Sequence, residues 1–161
     1  MAYIITSKAV GSQGIATTST TQNHAFGSIV SAVDPTLGAG QFIYLKGVAS
    51  TVVGSWVTYN PDDWTTALIV PNVIGPVAVA MSANAAATSF GWYQIQGKGS
   101  ASAADVADNG KVYIDTVAGR CDDAVVAGDK VHNAKWASAD DTATNLAEVE
   151  LAWPFTTDES T

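Results

Sequence analysis

The chain is written as short apolar runs that turn residues interrupt roughly every 8–12 residues, the spacing of an all-β sandwich or barrel. The runs are QFIYLKG (41–47), STVVGSWVTYN (50–60), TTALIVPN (65–72), PVAVAM (76–81), TSFGWYQIQGKG (88–99), KVYIDT (111–116), DKVHNAKWAS (129–138) and NLAEVELAWPF (145–155). Several are rich in β-branched and aromatic residues. In the last, Leu146, Val149 and Leu151 alternate with Glu148 and Glu150, which buries one face of a strand. Asn-Pro-Asp-Asp at 60–63 and Pro71 act as stops. Helical signals are weak: 82–88 and 101–110 have the composition for a turn or two but no apolar stripe. The expected core includes Phe42, Tyr44, Val57, Ile69, Val79, Trp92, Ile95, Tyr113, Val131, Val149 and Leu151.

Three segments follow. Residues 40–155 form the β-rich body, expected to be a jelly roll or a barrel-like sandwich. Residues 1–39 read as an extended N-terminal arm, because GSQGIATTSTTQN (11–23) has little to bury against an ordering cost of about 1–2 kcal/mol per residue. Such an arm orders only when a partner holds it. Val33–Gly38, with Pro35 inside, reads as a turn or hinge. Residues 156–161 form a polar tail.

Charge narrows the partners. Only 14% of the residues are charged, the net charge is −8 and the pI about 4.3. Seven Lys and Arg without a basic run argue against nucleic acid and against an anionic membrane. A chain so poor in charge suits a surface covered in an assembly. The single cysteine, Cys121, precludes an intrachain disulfide. MAYIITSKAV lacks the pattern of a signal peptide, so a chain made and assembled in a host cytoplasm is expected.

Chemistry-bearing patterns are thin, and no enzyme activity, cofactor or metal is expected. Gly91–Lys98 has five residues between its glycine and the Gly-Lys pair and lacks the following Ser or Thr of a phosphate loop. His24 and His132 have no ligand spacing. The Asp-Asp pairs at 62–63, 122–123 and 140–141 read as turn chemistry, with loop calcium the alternative. Cys121 stands beside two acids, which blunts a thiol. The five tryptophans read as core or subunit interface, with a sugar-stacking platform as the functional alternative.

The order of the phrases GQFIYLKGVASTVVGSWVTYNP (40–61), FGWYQIQGKG (90–99), GKVYIDTVAGRCDDAVVAGDKVHNA (110–134) and AEVELAWPF (147–155) resembles that of the capsid cement, or head decoration, proteins of tailed bacteriophages. The resemblance implies a catalytically inert virion protein on the outer capsid surface, dimeric or trimeric with the trimer favoured. It would bridge neighbouring major capsid proteins and stabilise the mature head. Phe26, Ile29, Val30, Leu37, Trp64, Trp136 and Trp153 are the expected capsid or subunit contacts. The second function in view is a sugar-binding or receptor-contacting module of a phage tail or fibre.

Overall fold

The computed structural model describes residues 4–5 and 12–159. The part of the expected arm at 1–3 and 6–11, and the end of the tail at 160–161, lie outside the described residues. The described residues are all-β and form eleven strands: β1 (Ile4–Ile5), β2 (Ile29–Asp34), β3 (Gly38–Lys46), β4 (Trp56–Tyr59), β5 (Thr66–Leu68), β6 (Gly75–Ala80), β7 (Phe90–Ser102), β8 (Lys111–Ile114), β9 (Cys121–Asp122), β10 (Lys130–Trp136) and β11 (Leu146–Thr156). There is no helix among the described residues; 82–88 forms bends and turns, and 101–110 begins as the end of β7 and continues as turns.

All named pairings are antiparallel and belong to one open sheet, in the order β1-β2-β3-β7-β6-β11-β10-β8-β9, with β4 pairing β6 and β5. β7 is the spine. Its first half pairs with β3 and β6, and its second half with β11. The change of partner falls at Gly97, whose φ of +96° bends the strand. Gln94, buried just before the bend, fastens it: its amide Nε2 donates to the carbonyls of Gln96 (3.2 Å) and Lys98 (3.1 Å). The sheet then curls. Backbone bonds from Trp56 to Gly119 and from Gly119 to Ile69, both 2.9 Å, draw the loop before β9 against the β4–β5 hairpin.

Alternation along each strand sorts the apolar side chains into three clusters. The first lies within the curl and is centred on Trp56 and Trp136, with Ile69, Val79, Val112, Val131, Val149 and Leu151. The two indoles meet edge to face at 5.9 Å, and each donates Nε1–H to a backbone carbonyl, Trp56 to Ser102 (3.0 Å) and Trp136 to Asp122 (3.1 Å). The other two clusters cover opposite faces of β3 and β7: Phe42, Tyr44 and Trp92 on one side, Ile43, Leu45, Tyr93 and Ile95 on the other. All eleven core residues expected from the sequence are buried.

The arm is corrected by the structure. The boundary at residue 39 falls inside β3, and β2 and β3 form a hairpin in continuous register from Ile29–Ile43 to Asp34–Gly38. The turn expected near Pro35 closes it, with Asp34 Oδ1 accepting the amides of Thr36 (2.7 Å) and Leu37 (2.9 Å). Residues 12–28 lie on their own body. Ile15 is buried, Trp92 Nε1 donates to Gln13 O (2.9 Å), Tyr44 donates to Gln13 Oε1 (2.8 Å), and Ser19 bridges Phe90. A few side-chain hydrogen bonds and one buried isoleucine tie this polar stretch to the body.

Candidate functional surface

Of the seven expected contact residues, two cannot meet a partner. Val30 and Trp136 are buried, because Val30 points inward from β2 and Trp136 fills the centre of the curl. Phe26, Leu37 and Trp64 are half-buried. Phe26 stacks near Tyr44 and Phe90 under the Lys46 ammonium, 5.1 Å from its ring centre. Trp64 packs its indole against the Ile43–Tyr93 cluster from a left-handed backbone, φ 61°. Ile29 (46% exposed) and Trp153 (47%) are open to solvent.

The two exposed residues mark separate surfaces. Ile29 belongs to the β1–β2 edge. β2 exposes Ile29, Ser31 and Val33 and buries Val30, Ala32 and Asp34. Ile4 of β1 pairs with Val33, so Ile4 (64% exposed) and Val33 (38%) share the outer rungs. No charged side chain stands among Ile4, Ile29, Ser31 and Val33, an unusual state for a sheet edge, which charge normally protects. Ile4 and Val33 fall within the arm, roughly Met1 to Leu37, that the sequence offers as a contact segment, but are not singled out there; the alternation at 29, 31 and 33 is the signal for Val33.

Trp153 belongs to an irregularity of the β10–β11 ladder. His132 pairs with Phe155 and Ala134 with Leu151, so three residues of β11 stand opposite Asn133 alone. Asn133 (φ 59°) and Trp153 (φ 58°) both adopt the left-handed conformation there. Bulges re-aim side chains, and a large aromatic residue at positive φ is rare and costly. Next to it, His132 stacks on Phe155 at 5.0 Å, and its Nε2 lies 3.4 Å from Thr157 Oγ1.

The remaining candidates resolve into local structure. His24 accepts the Gln13 amide at 3.0 Å and packs between Tyr44 and Trp92. The Asp-Asp pairs act in turns and loop ties: Asp63 Oδ1 accepts from Thr65 N (3.0 Å), Asp122 Oδ1 from Ala124 N (3.1 Å) and Asp141 Oδ1 from Ala143 N (3.0 Å), while Asp123 and Asp140 reach the 106–107 amides. Among the described residues, no group of three or more His, Cys, Asp or Glu is placed to hold a metal ion. Burial pushes the Cys121 thiol well above its ordinary range, and Asp122 and Asp115 push it further. The folded protein is therefore expected to resist a thiol-titrating disulfide reagent and to react fully once denatured; rapid reaction of the native protein would contradict this placement.

The charges are unevenly placed between the two halves of the chain. Residues 1–104 hold Lys8, Lys46 and Lys98 against Asp34, Asp62 and Asp63, and balance to zero. Residues 105–161 hold four cations and twelve of the fifteen acids, so they carry the whole net charge of −8. In the sheet, β1–β7 are contributed by the neutral half, and β8–β11 by the acidic half. The ion pairs Lys98–Glu148, Arg120–Asp115 and Lys135–Glu150 involve only part of the acidic set.

Comparison with protein-family models, with curated proteins and with solved structures finds no match to this chain.

Proposed function

We propose that this protein is a structural cement protein of a tailed-bacteriophage head. It lies on the outer capsid surface, contacts neighbouring major capsid proteins and stabilises the mature shell. The observation that carries the reading is the partition of charge: a neutral half that ends in an exposed apolar β edge, joined to a half that carries all the net negative charge. Docking through Ile4, Ile29 and Val33, with Trp64 on the same face of the sheet, removes apolar area from water at about 25 cal/mol per Å² and desolvates few charges. The acidic half then faces outward, where like charge keeps decorated particles apart in solution. Copies that associate with one another on a lattice gain further from multivalency. The phrase order that resembles head decoration proteins points the same way.

The arm acts differently here than in an extended-tether picture. Deleting residues 1–39 would remove β2 and the first rungs of β3, so loss of attachment by that truncation would reflect unfolding. The informative variant changes only exposed side chains. Purified protein is expected to co-sediment with mature heads that lack it and to raise their resistance to heat. Ile29→Glu with Val33→Glu is expected to abolish attachment while leaving the melting temperature within a few degrees. Failure of the unaltered protein to bind such heads, with unchanged heat resistance, would overturn the reading.

A further inference from the structure

We infer that the β10–β11 bulge is a binding site for an uncharged carbohydrate, with Trp153 as the stacking platform. Five tryptophans occur in the chain, and Trp153 is the one counted among its exposed large apolar side chains. Trp56, Trp92 and Trp136 are fully buried and Trp64 is packed against a core cluster. Trp153 holds its exposed position through two left-handed residues facing each other across the ladder, Trp153 itself and Asn133. A bulge that served only to bend the strand would be as well made with glycine, which carries no cost at that φ. The sequence instead places an indole there.

The neighbouring rungs of the same ribbon have the chemistry of sugar recognition. Along the ribbon from Trp153, a depression is lined by Asn133, Ala134, Lys135, Glu150, Leu151 and Ala152; the indole lies outside that lining, so a ligand held by both must span from one to the other. Lys135 Nζ lies 3.1 Å from Glu150 Oε2 and 3.1 Å from Asn109 Oδ1, so the carboxylate is held in place from one side. Asn133 offers an amide donor and acceptor, Glu150 a carboxylate acceptor and Lys135 an ammonium donor, a set that matches vicinal hydroxyls. The apolar C–H face of a pyranose fits the electron-rich face of an indole. The net negative charge of the half that contributes β10 and β11 disfavours sialylated or uronic sugars.

This site lies in the acidic half, so it stays open to solvent if the neutral edge is docked, yet it does not depend on that docking. The test titrates the full chain with maltotriose, cellotriose, chitotriose and sialyllactose, followed by intrinsic fluorescence and calorimetry. Saturable binding of at least one neutral trisaccharide in the millimolar range or tighter is expected. Trp153→Ala is expected to weaken it by about tenfold or more, and Trp153→Phe by only a few fold, with unchanged melting temperatures. Glu150→Gln is expected to weaken it severalfold. No saturable binding of any neutral sugar, or binding that survives Trp153→Ala, would overturn the assignment; sialyllactose binding as tightly as the neutral sugars would overturn its restriction to uncharged ligands.

Discussion

Trp136→Ala is expected to lower the stability of the protein by about 3–5 kcal/mol, the range for truncating a fully buried tryptophan. The indole sits at the centre of the curl, 5.9 Å from Trp56, with Ile114, Cys121, Val131 and Val149 in the same cluster. Its loss leaves a cavity that a rigid, laddered sheet can close only in part. It also removes the donor to Asp122 O, one of the ties between β10 and β9. Urea unfolding followed by near-ultraviolet circular dichroism reads the change. Trp153→Ala serves as the control, expected within about 0.5 kcal/mol of the parent because that side chain is exposed. The pair separates two roles for tryptophan in one chain: if Trp136 were the contact residue that the sequence implied, its removal would spare folding.

Gly97→Ala is the second large effect, expected to cost more than about 3 kcal/mol. A Cβ at this position would lie 2.3 Å from the carbonyl oxygen of Ala39 and 2.8 Å from Gly40 Cα. Both contacts are with backbone, so a rotamer change cannot relieve them. The φ of +96° adds strain of its own for any residue with a Cβ. Gly97 stands where β7 leaves β3 for β11, so movement here loosens two ladders together. Gly38→Ala isolates the conformational part: its φ is +85°, yet a Cβ there meets nothing within 4 Å, and a loss near 1 kcal/mol is expected. Equal losses for the two substitutions, measured by equilibrium unfolding, would mean that the Gly97 crossing is not the pivot of the sheet.

Much of the body was legible because its strands satisfy period and propensity together. The 145–155 run alternates from 147 to 151, with Ala147, Val149 and Leu151 inward and Glu148 and Glu150 outward, and the 88–99 run is aromatic and bounded by turns; both became long strands. The strand at 29–34 alternates as cleanly, with Val30, Ala32 and Asp34 inward, but it follows a Gly/Thr-rich stretch whose composition pointed to a free arm. What orders that stretch is tertiary: a buried Ile15 and the contacts of Gln13 with Tyr44, Phe90 and Trp92 join residues far apart in the chain. No local pattern announces such contacts.

The candidate surfaces were legible in part. Ile29 and Trp153 emerged on the outside, whereas Val30 and Trp136 went inside. A tryptophan's preference for burial or interface is the same apolar preference, and only position in the sheet decides between them. The bulge opposite Asn133 has no local sequence signature, since neither Asn133 nor Trp153 is a glycine. The division of charge between the halves could be counted from the sequence, but its meaning needed the strand order, which places the neutral half at one edge of the sheet.

Hydrogen exchange of the full protein, alone and mixed with mature heads that lack it, tests the proposed docking surface directly. Slowed exchange confined to 26–34 and 62–65, with 122–129 and 153–159 unchanged, is the result that docking through the neutral edge predicts. Protection of 122–129 and 153–159 with the β1–β2 edge still exchanging freely would contradict it.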